Sequence, residues 1–83
     1  LSWEVIWDLA ALNEAAGFVK THNKDVSTLL DARDVLEQTE RPEGSRSWGA
    51  HHRRLHLGPW RVLYRIDRVA HQIHIEHVGY RSD

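Results

Sequence analysis

Cysteine is absent from the 83 residues, so neither a disulfide framework nor a thiolate zinc site can hold this chain together. That absence also fits a reducing compartment. Long apolar runs are missing too. Nothing approaches the ~18 residues needed to span a bilayer, and the opening LSWEVIW has neither the basic start nor the extended apolar stretch of a secretory signal. Both features predict a soluble, cytoplasmic protein with no membrane partner. No repeat or low-complexity tract interrupts the chain, and residues 1–83 read as one domain. A domain of this size buries only roughly 60–65% of the surface its unfolded chain exposes, so a bound partner would add needed stability.

An excess of one charge is also lacking, since the formal net charge is −1, but the balance divides along the chain. Through Ser45, the bases Lys20, Lys24, Arg33 and Arg41 face nine acids. From Arg46 onward, seven arginines face only Asp67, Glu76 and Asp83, and six of the seven histidines fall in this half. An anionic partner would meet the C-terminal half first.

The N-terminal half reads as scaffold. Ser2 to Trp7 alternates Trp3, Val5 and Trp7 with polar positions, as a half-buried strand does. Asp8 sits where a carboxylate caps a helix, and Leu9, Leu12, Ala16 and Val19 recur at helical spacing, which predicts a buried face. Thr21-His22-Asn23-Lys24 reads as a polar turn. Asp25 is placed to cap a second helix with Val26, Leu29, Leu30, Arg33 and Leu36 on one face, ending before Pro42.

From Arg46 the pattern turns to strands. A single strand is expected between Ser47 and Leu57, with Leu55 and Leu57 on one side and Arg54 and His56 on the other. Gly58-Pro59 turns the chain into Trp60-Arg61-Val62-Leu63-Tyr64-Arg65-Ile66, rich in β-branched and aromatic residues. Asp67 to His71 connects this run to a last strand carrying Ile73, Ile75 and Val78. The predicted fold class is α+β, ordered strand-helix-helix-strand-strand-strand, with a helical hairpin on one face of a mainly antiparallel sheet and the other face open.

The run from Gly58 to Asp67, which follows Gly-x-aromatic-Arg-Val-x-Tyr-x-Ile-Asp, and the closing Val78-Gly79-Tyr80-Arg81 resemble the C-terminal half of RelE/ParE toxins of bacterial type II toxin-antitoxin systems. The element order matches as well. The resemblance implies a cognate antitoxin as partner and, for RelE-like members, endonucleolytic cleavage of mRNA on the ribosome without cofactor or metal. Its ParE branch instead implies DNA gyrase as target with no catalytic set. A catalytically degenerate homologue is a third reading.

On the ribonuclease reading, Arg61 matches the arginine that contacts the scissile phosphate. Arg54 and His56 match the alternating basic positions of the preceding strand, and Arg81 matches the arginine after Val-Gly. Arginine stays protonated at any working pH and suits phosphate binding and transition-state charge. His56 is the residue able to take up the 2′-hydroxyl proton. Arg53, Arg65 and Tyr80 are expected to bind substrate. Many RelE-like nucleases carry a tyrosine or histidine beyond the Arg81 position, which Ser82-Asp83 do not match; Tyr80 and His77 are the candidates for stacking and acid roles.

His71, His74 and His77 are spaced three apart. On a strand that spacing alternates faces, so they are not expected to meet one metal ion. The four tryptophans, Trp3, Trp7, Trp48 and Trp60, read as core and interface anchors.

Overall fold

The computed structural model describes residues 1–81. Strand β1 (Glu4–Trp7) leads through Asp8 into helix α1 (Leu9–Thr21), and a short 3-10 turn at Asn23–Asp25 reverses the chain into α2 (Val26–Gln38). Strands β2 (Ser45–Ser47), β3 (His52–Leu57), β4 (Trp60–Asp67) and β5 (Gln72–Tyr80) complete a five-stranded sheet ordered β1-β5-β4-β3-β2. Only β1 and β5 run parallel; the other pairs are antiparallel. The expected α+β architecture, with both helices on one face, is the one observed.

Alternation along the strands divides the sheet into two faces. On β4, Trp60, Val62, Tyr64 and Ile66 are buried beneath the helices, and Arg61, Leu63, Arg65 and Asp67 point the other way. Strand β5 buries Ile73 and Ile75 and then Val78, a step of three that a plain strand could not place on one face. A β-bulge resolves it: Leu63 pairs with His77 and Tyr64 with Ile75, which leaves Glu76 as the extra residue. The core closes with Leu55, Leu29, Leu36, Ala11 and Ala32. Burial raises the pKa of the Tyr64 phenol, whose hydroxyl donates to the Glu40 carbonyl at 2.7 Å.

Three sequence expectations are corrected here. The strand foreseen from Ser47 to Leu57 is a hairpin, broken at Trp48 to His51, where Gly49 takes φ 122°, a conformation that favours glycine. The α1 face of Leu9, Leu12 and Val19 is exposed (72%, 49% and 48%), and the helix packs through Ala11, Ala15 and Phe18. Ala11 and Ala15 let the helix approach the sheet, and Phe18 meets the Trp60 ring edge-on at 5.3 Å. On α2, Leu30 and Arg33 face solvent while Ala32 is buried.

The two acidic caps also differ from expectation. Asp8 and Asp25 occupy N-cap positions, but neither carboxylate bonds the helix amides. Asp8 Oδ1 lies 3.2 Å from His74 Nδ1, and Asp25 Oδ2 accepts from the Tyr80 hydroxyl at 2.9 Å. Both carboxylates tie helix ends to β5. Beyond Ile75, β5 has no strand partner on the β1 side, and Glu14 of α1 takes over, accepting the Val78 N–H at 2.9 Å.

Candidate active site on the open sheet face

The face turned away from the helices gathers cations at one end. Register sets Arg46 of β2 opposite Arg54 of β3, and His56 of β3 opposite Arg61 of β4. Arg61 in turn lies opposite Gly79 of β5. Arg81 follows directly, its backbone N–H donating to the Pro59 carbonyl at 2.8 Å, beside the β3–β4 turn. Arg54, His56, Arg61 and Arg81, distant in sequence, thus share one end of the sheet.

Arg61 is fixed by backbone, not by a counter-ion. Its Nη1 donates to the carbonyls of Gly58 and Trp60, both at 3.1 Å, and its Nε is buried with no hydrogen-bond partner among the described residues. Glu76, the carboxylate that would otherwise compete for it, is held by His52 at 2.9 Å and Arg65 at 3.2 Å. The Arg61 charge is therefore left for an incoming anion.

His56 Nε2 is likewise buried without a partner among the described residues. Burial lowers the His56 pKa below the ordinary 6.5, and the charges of Arg61, Arg54, Arg46 and Arg81 lower it further. Both effects favour the neutral imidazole, which keeps an acceptor lone pair. Because the folded-state pKa lies below the unfolded value, the unfolded chain takes up this proton first as pH falls. The His56 contribution to stability is therefore complete above pH 6.5 and is lost on acidification toward the folded pKa. An NMR titration is expected to show His56 protonating below pH 6.5 and moving back toward that value in Arg61→Ala, which removes the charge acting most strongly on the imidazole. An unmoved midpoint would show that Arg61 does not act on His56.

Trp48, Arg54, Arg61, Leu63, His77 and Gly79 line a shallow cleft of about 290 Å³. The Arg54 guanidinium sits over the Trp48 ring, 4.4 Å from its centroid. Gly79 forms part of the floor, and a Cβ there would meet nothing within 4 Å. Gly79→Val is accordingly expected to keep or slightly raise the melting temperature, since valine suits a strand, while the branched side chain occupies the space beside Arg61 and cuts activity at least tenfold. Unchanged activity in a folded Gly79→Val protein would show that the cleft is not used.

Three residues expected to bind substrate stand apart from the cluster. Arg53 shares the helix-side face with Leu55 and donates to the Ser45 hydroxyl (3.2 and 3.0 Å) and carbonyl (3.2 Å). Arg65 is on the open face but is paired with Glu76. Tyr80 turns toward the helices, where its ring lies 3.8 Å from His22 and 5.0 Å from Trp60, and its hydroxyl bond to Asp25 raises its pKa. Each of the spaced histidines has its own neighbour: His71 stacks on Trp3 at 3.9 Å, His74 meets Asp8, and His77 lies 3.4 Å from Glu14, although the bulge leaves His74 and His77 on the same face and not on alternate ones.

Two members of the cluster were not foreseen. Arg46 enters through the register with Arg54, and Trp48, read as an anchor, is 55% exposed. Gly49 was the available signal: a turn there divides the presumed single strand and brings Arg46 across from Arg54.

The whole-chain comparisons agree with this architecture. A family model described as the ParE toxin of the type II toxin-antitoxin system, parDE, matches residues 1–83. No curated protein matches the chain by sequence. Among solved structures, the toxin-antitoxin complex RelBE2 from Mycobacterium tuberculosis aligns at 19% identity and TM-score 0.75, covering 100% of this chain and 95% of that one. The archaeal RelE-RelB complex from Pyrococcus horikoshii aligns at 20% identity and TM-score 0.75, covering 99% and 98%. The chromosomal ParDE system from P. aeruginosa aligns at 17% identity and TM-score 0.74, covering 98% of each chain. At these identities the structures speak for the fold, and the family model speaks for descent. With the RelE/ParE sheet, its helical hairpin and a match running the length of the chain, this protein belongs to the ParE toxin family of type II toxin-antitoxin systems.

Proposed function

We propose that this toxin is an mRNA endoribonuclease that acts on the ribosome and is restrained by a cognate antitoxin. One observation carries the reading: among the described residues, His56 Nε2 is buried without a partner and lies among arginines of which Arg61 has no carboxylate partner. RNA is cut when its 2′-oxygen bonds to the adjacent phosphorus and the bond to the 5′-oxygen breaks. The reaction needs a base for the 2′ proton, cations for the phosphorane and an acid for the leaving oxygen. His56 takes the proton. Arg61, Arg54 and Arg81 neutralise the phosphorane, and His77, in the same cleft, supplies the proton to the 5′-oxygen. These side chains cover every requirement, so the mechanism calls for no cofactor. The antitoxin reading rests on the family and on neighbours described as toxin-antitoxin complexes.

The ParE family match favours a second reading, inhibition of DNA gyrase by protein contact. Both are tested by adding antitoxin-free protein to a bacterial translation extract and mapping mRNA ends, with a gyrase supercoiling assay run in parallel. Cuts inside translated codons are the expected result. Intact mRNA with blocked supercoiling would replace the proposal by the gyrase reading, and silence in both assays would indicate a degenerate toxin.

A further inference from the structure

Trp48 is the tryptophan that the core does not use: Trp3 and Trp60 are 8% and 0% exposed, and Trp7 packs against the core, while Trp48 is 55% exposed. Its position is nonetheless fixed. The Trp48 N–H donates to the His52 carbonyl at 2.8 Å, and the Ser47 hydroxyl reaches the Gly49 carbonyl at 3.4 Å, so the β2–β3 turn is tied at both ends. Arg54 lies over the ring and orients it. An exposed indole held by Arg54 at the wall of a cleft is a surface suited to a flat apolar partner.

The chemistry of the cleft selects that partner. Its lining holds Arg54, Arg61, His77, Leu63 and Gly79 beside Trp48 and, among the described residues, contains no carboxylate, and Arg46 lies across from Arg54. A polyanion is favoured over an acid-free apolar peptide. Trp48 directly follows β2 and lines the same cleft as Arg61, so a nucleotide whose phosphate meets Arg61 can lay its base against the Trp48 ring. We propose that Trp48 is the base-stacking residue of this toxin, taking the nucleobase beside the phosphate that Arg61 holds. Base–aromatic stacking is tolerant of sequence, because every base presents a π-face. Trp48 therefore sets the grip on a nucleotide more than the choice among the four. The inference deepens the ribonuclease reading and rests on it.

The test uses 2′-O-methyl RNA hexamers, which cannot be cut, in an intact form and with single abasic positions, and measures affinity by fluorescence anisotropy at low salt. Wild-type protein is expected to bind the intact hexamer roughly 5- to 100-fold more tightly than the hexamer lacking the stacked base. Trp48→Ala should erase that difference by weakening the intact RNA alone, and Trp48→Tyr should restore most of it. Arg61→Ala should weaken both RNAs alike. A Trp48→Ala protein that still distinguishes the two RNAs, with Arg61→Ala weakening both, would overturn the stacking role and leave the ribonuclease reading standing. Loss of antitoxin capture in Trp48→Ala with RNA affinity unchanged would assign the indole to a protein partner and overturn the proposal. Arg61→Ala without effect on either RNA would instead count against the ribonuclease reading itself.

Discussion

Arg61→Ala is expected to lower mRNA cleavage by about 10²–10³-fold, the usual loss when one fixed donor to a developing oxyanion is removed. The protein should remain folded. Arg61 projects from the face opposite the core, and the side-chain bonds it loses go to the carbonyls of Gly58 and Trp60 at the β3–β4 turn. Those carbonyls can turn to water, so the melting temperature should move by no more than a few degrees. Arg61→Lys separates charge from geometry. Lysine keeps the cation but cannot donate from a planar fork, and its ammonium cannot hold two backbone carbonyls while facing a phosphate. Recovery of less than a tenth of wild-type activity is expected for Arg61→Lys, measured as single-turnover cleavage on programmed ribosomes. Full activity in a folded Arg61→Ala protein would remove Arg61 from the chemistry.

Trp60→Ala is expected to unfold the domain at 37 °C, although Trp60 is the immediate neighbour of Arg61. Its side chain is fully buried, its Nε1 donates to the Asp25 carbonyl at 2.8 Å, and its ring meets Phe18 and Tyr80 edge-on at 5.3 and 5.0 Å. Truncating a buried tryptophan costs about 3–5 kcal/mol, and the carbonyl left at the start of α2 adds about 1 kcal/mol. Single domains are stable by only about 5–15 kcal/mol, with small ones at the low end. Trp60→Phe keeps most of the volume and should cost roughly half as much. Urea denaturation of the three proteins decides it: a Trp60→Ala midpoint close to wild type would show that α1, α2 and β4 are held together elsewhere. One residue apart on β4, Arg61 and Trp60 thus separate function from stability, because alternate side chains face opposite sides of the sheet.

That period of two explains why the hairpin was legible in the sequence. The run from Trp60 to Asp67 states its own alternation, and the Gly-x-aromatic-Arg pattern places Arg61 on the outward side. The bulge at Glu76 was legible only after the fact, in the spacing of Ile73, Ile75 and Val78. The helices were placed correctly while the α1 face was not. Leucines at 9, 12 and 19 carry more apolar surface than alanines at 11 and 15, and hydrophobic spacing alone favours the larger set. The packed structure decided otherwise, since the α1 face turned to the sheet is the one carrying Ala11, Ala15 and Phe18, whose ring meets Trp60 edge-on.

The site divides in the same way. Arg61, Arg54 and His56 could be assigned to one face from strand periodicity and the family resemblance, because residues on one strand or on adjacent strands share a face by a local rule. Arg46, Trp48 and the partnering of Arg65 depend on which strands become neighbours and at what register, and no local rule carries that information. Arg53 and Tyr80 lie away from the cluster because the helix-side face captures them, through Ser45 and through Asp25 with His22. The chain by itself therefore determined the element order, the inward and outward sides of β4, and the cationic character of the C-terminal half. Only the tertiary structure decided that Arg61 has no carboxylate partner among the described residues, because that depends on which carboxylates folding brings within reach, and Glu76 was brought to Arg65 and His52 instead of to Arg61.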